Sequence, residues 1–185
     1  MQWNSWSRIP YITEIRTPGR PSIIPATRII EHNFVLANYF SFGAIDTDDG
    51  SAYMDVRSNF FAYGEFGLKS DFGGHNMQYR DNVLAYVGNC YHQQYNGEYV
   101  GYNDVFTGNQ CVFRQSYSSD CNLAPYHWHV HNNTVYSKSG GLRVCGMNFS
   151  AYQGLGHDLG TTVHSWPSDA TLVGMGKAAL GWSPE

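Results

Sequence analysis

Four ionisable side chains fall at two-residue spacing in two short segments. Asp46 and Asp48 lie within Ala44-Ile-Asp-Thr-Asp-Asp-Gly-Ser51, and Lys69 and Asp71 within Gly67-Leu-Lys-Ser-Asp-Phe-Gly-Gly-His75. Side chains two apart on a strand share a face. If the two segments lie side by side, three carboxylates and an ammonium cluster on one surface. Carboxylates that close either share a cation or hold one proton between them. His75 follows Gly73 and Gly74, which permit a tight turn and close approach of a ligand, and is a candidate second acid or base.

What would align the segments is a repeat. Asn33, Asn59, Asn82, Asn109 and Asn133 are separated by 26, 23, 27 and 24 residues, a period of the kind that marks solenoids. Two positions after each stand Val35, Phe61, Leu84, Cys111 and Val135; three before stand Ile30, Val56, Tyr79, Phe106 and Val130. Both columns are apolar. Two positions before come Glu31, Arg57, Arg80, Thr107 and His131, all polar. Alternation of period two means strands, so each repeat reads as a strand, a bend at the asparagine and a second short strand. That pattern describes an all-β parallel β-helix of about five coils, with the asparagines as an internal amide ladder whose donors and acceptors satisfy one another.

In this register Asp46 stands above Lys69, and Asp48 above Asp71. With roughly 6.6 Å between alternate residues of a strand and roughly 4.8 Å between coils, the four form a small rectangle.

Domain boundaries follow from the same frame. Residues 1–28, with Pro10, Pro18, Pro21 and Pro25, read as an extended N-terminal segment; 29–150 carry the coils; 151–185 form a C-terminal cap. In the cap, Ser168 to Gly181 reads as a short helix with Ser168 as its N-cap, placed to cover the last coil. The N-terminal end shows no comparable cap, so residues 1–28 or a capping partner is expected there.

Composition narrows the classes. A net charge of −4 without a basic run argues against nucleic acid, and no apolar run reaches the length of a membrane span. Charged residues are only 14% and aromatic ones 16%, which suits broad aromatic surfaces. Cys90, Cys111, Cys121 and Cys145 are disulfide candidates with three pairings open. Together with the glycosylation sequons at Asn132 and Asn148 they point to an extracellular or secreted protein, although Met1-Gln-Trp-Asn-Ser-Trp6 lacks signal-peptide character.

The repeat resembles the right-handed parallel β-helix superfamily of pectate lyases, polygalacturonases and uronan epimerases over approximately residues 8–180. The segments Ile45–Ser51 and Gly67–His75 look like a signature of uncharacterised right-handed β-helix proteins. The chain departs from the better-known members in coil number and in lacking their catalytic motifs. The resemblance implies a groove along the strand opposite the ladder, where the acidic columns lie, and a carbohydrate-active protein acting on or binding an acidic polysaccharide.

Three chemistries fit the rectangle. In elimination from a uronan, Asp46, Asp48 and Asp71 hold Ca2+ through oxygen ligands while Lys69 takes the ring proton. In glycoside hydrolysis, Asp48 with Asp71 suits retention and Asp46 with Asp48 suits inversion. In the third, Asp46–Lys69 and Asp48–Lys69 salt bridges staple two coils.

Other features have structural and functional readings side by side. His127, His129 and His131 share a strand face with Trp128 between them on the inward parity; a surface stripe is favoured over a zinc or copper site because alternate side chains on a flat strand converge poorly. Tyr91, Tyr95, Tyr99, Tyr102 and Tyr117 are candidate platforms for sugar rings. Glu31, Arg57 and Arg80 read as an ion-pair ladder in preference to an anion site. The alternative to a carbohydrate-active protein is a non-enzymatic surface glycoprotein whose short solenoid self-associates end to end into a filament.

Overall fold

The computed structural model describes residues 27–38, 43–47, 51, 53–70, 76–93, 104–118 and 129–182. The strand before each asparagine builds a five-stranded parallel sheet: β1 (Arg28–Glu31), β4 (Met54–Arg57), β7 (Gln78–Arg80), β9 (Val105–Thr107) and β11 (His129–His131). The strand after it builds a second parallel sheet from β2 (Phe34–Asn38), β5 (Phe60–Gly64), β8 (Val83–Gln93), β10 (Gln110–Ser118), β12 (Thr134–Ser137) and β15 (Thr162–Ser165). Short strands β3 (Ile45–Thr47) and β6 (Phe66–Ser70) pair with one another, and β6 continues onto β8. The architecture is a parallel β-solenoid of about four turns.

Register follows the asparagine alignment. Ile30, Val56, Tyr79, Phe106 and Val130 stand in one line across the first sheet. Val35, Phe61, Leu84, Cys111, Val135 and also Val163 stand in one line across the second. These two columns face each other as the core, where Val56, Tyr79, Leu84, Phe106, Cys111 and Val135 are fully buried. The Cys111 position in that column is tied to Cys90 by a disulfide inside the solenoid. Cys121 lies outside the described residues, and half-buried Cys145 forms no disulfide with a described cysteine.

Between the sheets the asparagines form the expected ladder. The backbone N–H and Nδ2 of each donate to Oδ1 of the next; the Nδ2 to Oδ1 distances run 3.0, 3.0, 3.0 and 3.3 Å from Asn33 to Asn133. The Nδ2 of Asn59, Asn82, Asn109 and Asn133 also reaches the main-chain carbonyls of Ile30, Val56, Tyr79 and Phe106 on the preceding coil. The bend itself falls one residue earlier than the asparagine. His32, Ser58, Asp81, Gly108 and Asn132 all adopt left-handed backbone, with φ between 52° and 67°, a conformation that glycine, asparagine, aspartate and histidine tolerate best. At the last rung Thr161 takes the asparagine's place: its hydroxyl accepts from the Asn133 N–H at 2.8 Å and donates to Asp158.

The C-terminal helix Asp169–Ala179 begins at Ser168, whose hydroxyl accepts from the Thr171 N–H. It does not lie over the last coil. Leu172 packs on Ala62, Val83, Ala85 and Val112, with Phe60, Tyr136 and Met175 around them, so the helix covers the flank of the second sheet. This explains why residues after the asparagines are apolar in pairs: a strand buried on both faces reads as a continuous apolar run. A shorter helix, Phe149–Gly154, follows the antiparallel pair β13 (Arg143–Val144) and β14 (Met147–Asn148), and buries Phe149 and Tyr152 against the core.

Candidate functional site

Pairing of β3 with β6 puts Asp46 opposite Lys69, as the repeat requires. Lys69 Nζ lies 3.1 Å from Asp46 Oδ1; the lysine side chain is 5% exposed and the aspartate 35%. Beneath them the inward Thr47 donates to the Lys69 carbonyl at 2.6 Å, and the Tyr79 hydroxyl donates to that same oxygen at 2.8 Å. The strand is therefore pinned from inside and stapled from outside. The pair thus ties two neighbouring coils together. Asp48, Asp71 and His75 lie outside the described residues. Of the proposed calcium ligands only Asp46 is described, and its carboxylate is turned to an ammonium; among the described residues no three carboxylates, histidines or cysteines converge.

The polar column of the first sheet resolves into ion pairs. Arg57 contacts Glu31 at 2.7 Å and Asp55 at 3.0 Å, and Arg80 grips Asp55 with Nε at 2.8 Å and Nη2 at 2.6 Å. Asp55, unremarked in the sequence, joins the two arginines, and its hydrogen bond raises the Arg80 guanidinium further above its usual range. The column ends with His131, whose Nδ1 meets the Thr107 hydroxyl at 3.1 Å and the Asn132 amide at 3.0 Å, while His129 is exposed. His127 and Trp128 lie outside the described residues.

Of the five tyrosines read as sugar platforms, Tyr91 and Tyr117 are core residues, 6% and 1% exposed, with ring centroids 5.2 Å apart. Burial drives both phenols well above their usual range. The bulk of the coil interior claims them. Tyr95, Tyr99 and Tyr102 lie outside the described residues. Both sequon asparagines are exposed; Asn132 sits at a left-handed corner and Asn148 caps the short helix by accepting from the Ala151 N–H.

A site the sequence did not suggest opens where β10 outruns β12. Only Gln110, Cys111 and Val112 pair with β12. After Ser137 the chain leaves the sheet through Lys138-Ser-Gly-Gly141, a turn held by the Ser137 hydroxyl donating to the Gly141 carbonyl at 2.6 Å. Gly140 has φ +73°, and a Cβ there would strike the Ser165 hydroxyl at 2.8 Å, so glycine is required. The result is a groove of about 510 Å³ between the second half of β10 and residues 137–143. Arg114, Lys138 and Arg143 line it with Gln115, Ser116, Ser137 and Ser139; Phe113 and Leu142 give it apolar walls, and among the described residues no acidic one lines it. Arg114 and Lys138 are 24 residues apart, the spacing of one coil, which is the signal that would have found them.

Fold and groove together define a parallel β-solenoid with a cationic recess in its flank. No family model, curated protein or solved structure matches the chain.

Proposed function

We propose that this chain is an extracellular carbohydrate-binding β-solenoid that holds an acidic polysaccharide in the groove beside β10. The observation that carries the reading is the lining: three cations with serine and glutamine side chains, and no carboxylate among the described residues, on a recess with an aromatic wall. Guanidinium groups offer paired donors to a uronate carboxylate or a sulfate, and the hydroxyl and amide groups suit sugar hydroxyls. The buried disulfide supports an oxidising compartment. Binding without turnover is preferred to elimination or hydrolysis at Asp46, Asp48, Lys69 and Asp71, because Lys69 is enclosed and paired.

The experiment is calorimetric titration with oligogalacturonate and with a neutral oligosaccharide of equal length, at two salt concentrations. The acidic ligand alone should bind, more weakly at higher salt. An Arg114→Ala, Arg143→Ala double variant should lose at least tenfold in affinity. Equal binding of both ligands, or an unaffected double variant, would sink the proposal. Release of unsaturated or reducing ends in the same tubes would instead favour turnover.

A further inference from the structure

Gln115, midway along the groove's β10 wall, is held by a carboxylate. Its Nε2 lies 3.3 Å from Glu65 Oε1, a contact that passes over Gly88, where an added Cβ would meet that same nitrogen at 3.3 Å. A carboxylate only accepts hydrogen bonds. The amide must therefore turn its N–H toward Glu65, leaving the carbonyl oxygen as the group it can offer a ligand.

Cations stand to either side of that oxygen. Arg114 Nη2 lies 3.4 Å from the Gly64 carbonyl. Strand β5 pairs with β8 and β8 with β10, so the guanidinium reaches back two rungs from its own strand, roughly 10 Å. Lys138 and Arg143 belong to the chain that leaves β12, one rung the other way, and Arg143 Nη2 donates to the Gly146 carbonyl. Along the solenoid axis the order is thus a cation, an amide acceptor backed by a carboxylate, and two further cations.

On the reading of the groove as a glycan site, we propose that Gln115 and Glu65 are specificity-determining residues and that the polysaccharide they select alternates acidic and uncharged sugars. A uronate or sulfate facing Gln115 meets a carbonyl oxygen with a like charge behind it, which disfavours the complex. An uncharged sugar there donates a hydroxyl or amide N–H to the same oxygen, while its acidic neighbours reach the cations on either side. Glu65 rejects the unbroken run of acids that Arg114, Lys138 and Arg143 alone would accept.

The test is calorimetric titration of the intact chain with a hyaluronate hexasaccharide, in which uronate and uncharged sugar alternate, and with hexagalacturonate, in which every residue is acidic. The parent should bind the alternating ligand about tenfold more tightly, although it carries half the charge. Glu65→Gln keeps a partner for the Gln115 amide and removes the charge, and should raise hexagalacturonate to within about threefold of hyaluronate. Glu65→Asp, which keeps the charge, should retain the parent's preference. Gln115→Leu should lower hyaluronate to about the affinity of hexagalacturonate by removing the acceptor. If the parent binds the two ligands equally or prefers hexagalacturonate, or if Glu65→Gln leaves their ratio unchanged, the specificity assignment is wrong and the groove stands. If the parent binds neither, the groove reading falls and takes the assignment with it.

Discussion

Asn82 hands its backbone N–H and its Nδ2 to the same oxygen, Oδ1 of Asn109, at 3.0 Å in each case, and both residues are fully buried. Each amide in the interior of the ladder therefore satisfies two coils at once. Asn82→Ala would strip the acceptor from the Asn59 N–H and Nδ2 and the donor from the Val56 carbonyl. With about 1–3 kcal/mol lost per buried group left unpaired, a loss of about 3–5 kcal/mol is expected in urea unfolding. Asn33→Ala, at the exposed end, should cost about 1 kcal/mol or less. Equal costs at the two positions would contradict a ladder whose worth comes from burial.

The Asp46–Lys69 pair should respond asymmetrically. Asp46→Ala takes one carboxylate away from a buried ammonium and should cost about 1–2 kcal/mol, below the range for a buried pair broken completely. Lys69→Met leaves an aspartate that can turn to water and fills the same space, so stability should change by less than about 1 kcal/mol. Thermal melts of the two variants decide it, and both should bind oligogalacturonate as the parent does.

Asp104 lies in the core with Oδ1 accepting the Met77 N–H at 2.8 Å. Burial raises its carboxyl from 3.8 to about 7, opposed by that hydrogen bond and by nearby Ser70. Ser70 Oγ and Asp104 Oδ2 do not complete a hydrogen bond with one another. The unfolded chain ionises near 3.8 while the folded chain keeps its proton until about 7. Stability from this group is therefore fully present below about pH 4 and declines by a few kcal/mol as pH rises to about 7. Asp104→Asn preserves an acceptor for Met77 and should flatten that slope in unfolding curves taken from pH 4 to 8.

Two glycines of the flanking helix make opposite predictions. A Cβ on Gly176 would lie 2.4 Å from the Phe60 ring, whereas nothing stands within 4 Å of Gly174. Gly174→Ala should gain the usual helix propensity of about 0.5–1 kcal/mol. Gly176→Ala should lose about 1–3 kcal/mol as the helix is pushed off the sheet. Circular dichroism melts of the pair measure both.

The Tyr86–Asp169 hydrogen bond, with burial behind it, pushes the Tyr86 phenol from 10 to about 12. In Asp169→Asn the phenol should titrate closer to 10, seen as earlier tyrosinate absorbance on raising pH. An unchanged titration would mean that the helix start does not hold the ring.

Asn59, Asn82 and Asn109, with their apolar neighbours at fixed offsets, determined the solenoid, its register and the opposition of Asp46 to Lys69, because stacked coils turn a sequence period into a spatial column. The same repeat carried Thr161 and Val163 as a sixth rung, hidden because a threonine replaced the amide. Tertiary structure alone decided the rest. Whether Lys69 faces solvent depends on how closely β3 and β6 pack over Thr47 and Tyr79. Which cysteine meets Cys111 depends on β8 running on to Cys90, and which tyrosines are core depends on the volume each coil encloses. The groove of Arg114, Lys138 and Arg143 exists because β12 stops while β10 continues, and Tyr86 meets Asp169 because a helix from the far end of the chain folds back along the flank. Local pattern sets which residues share a column; the end of a strand and the return of a distant helix set which columns stay open.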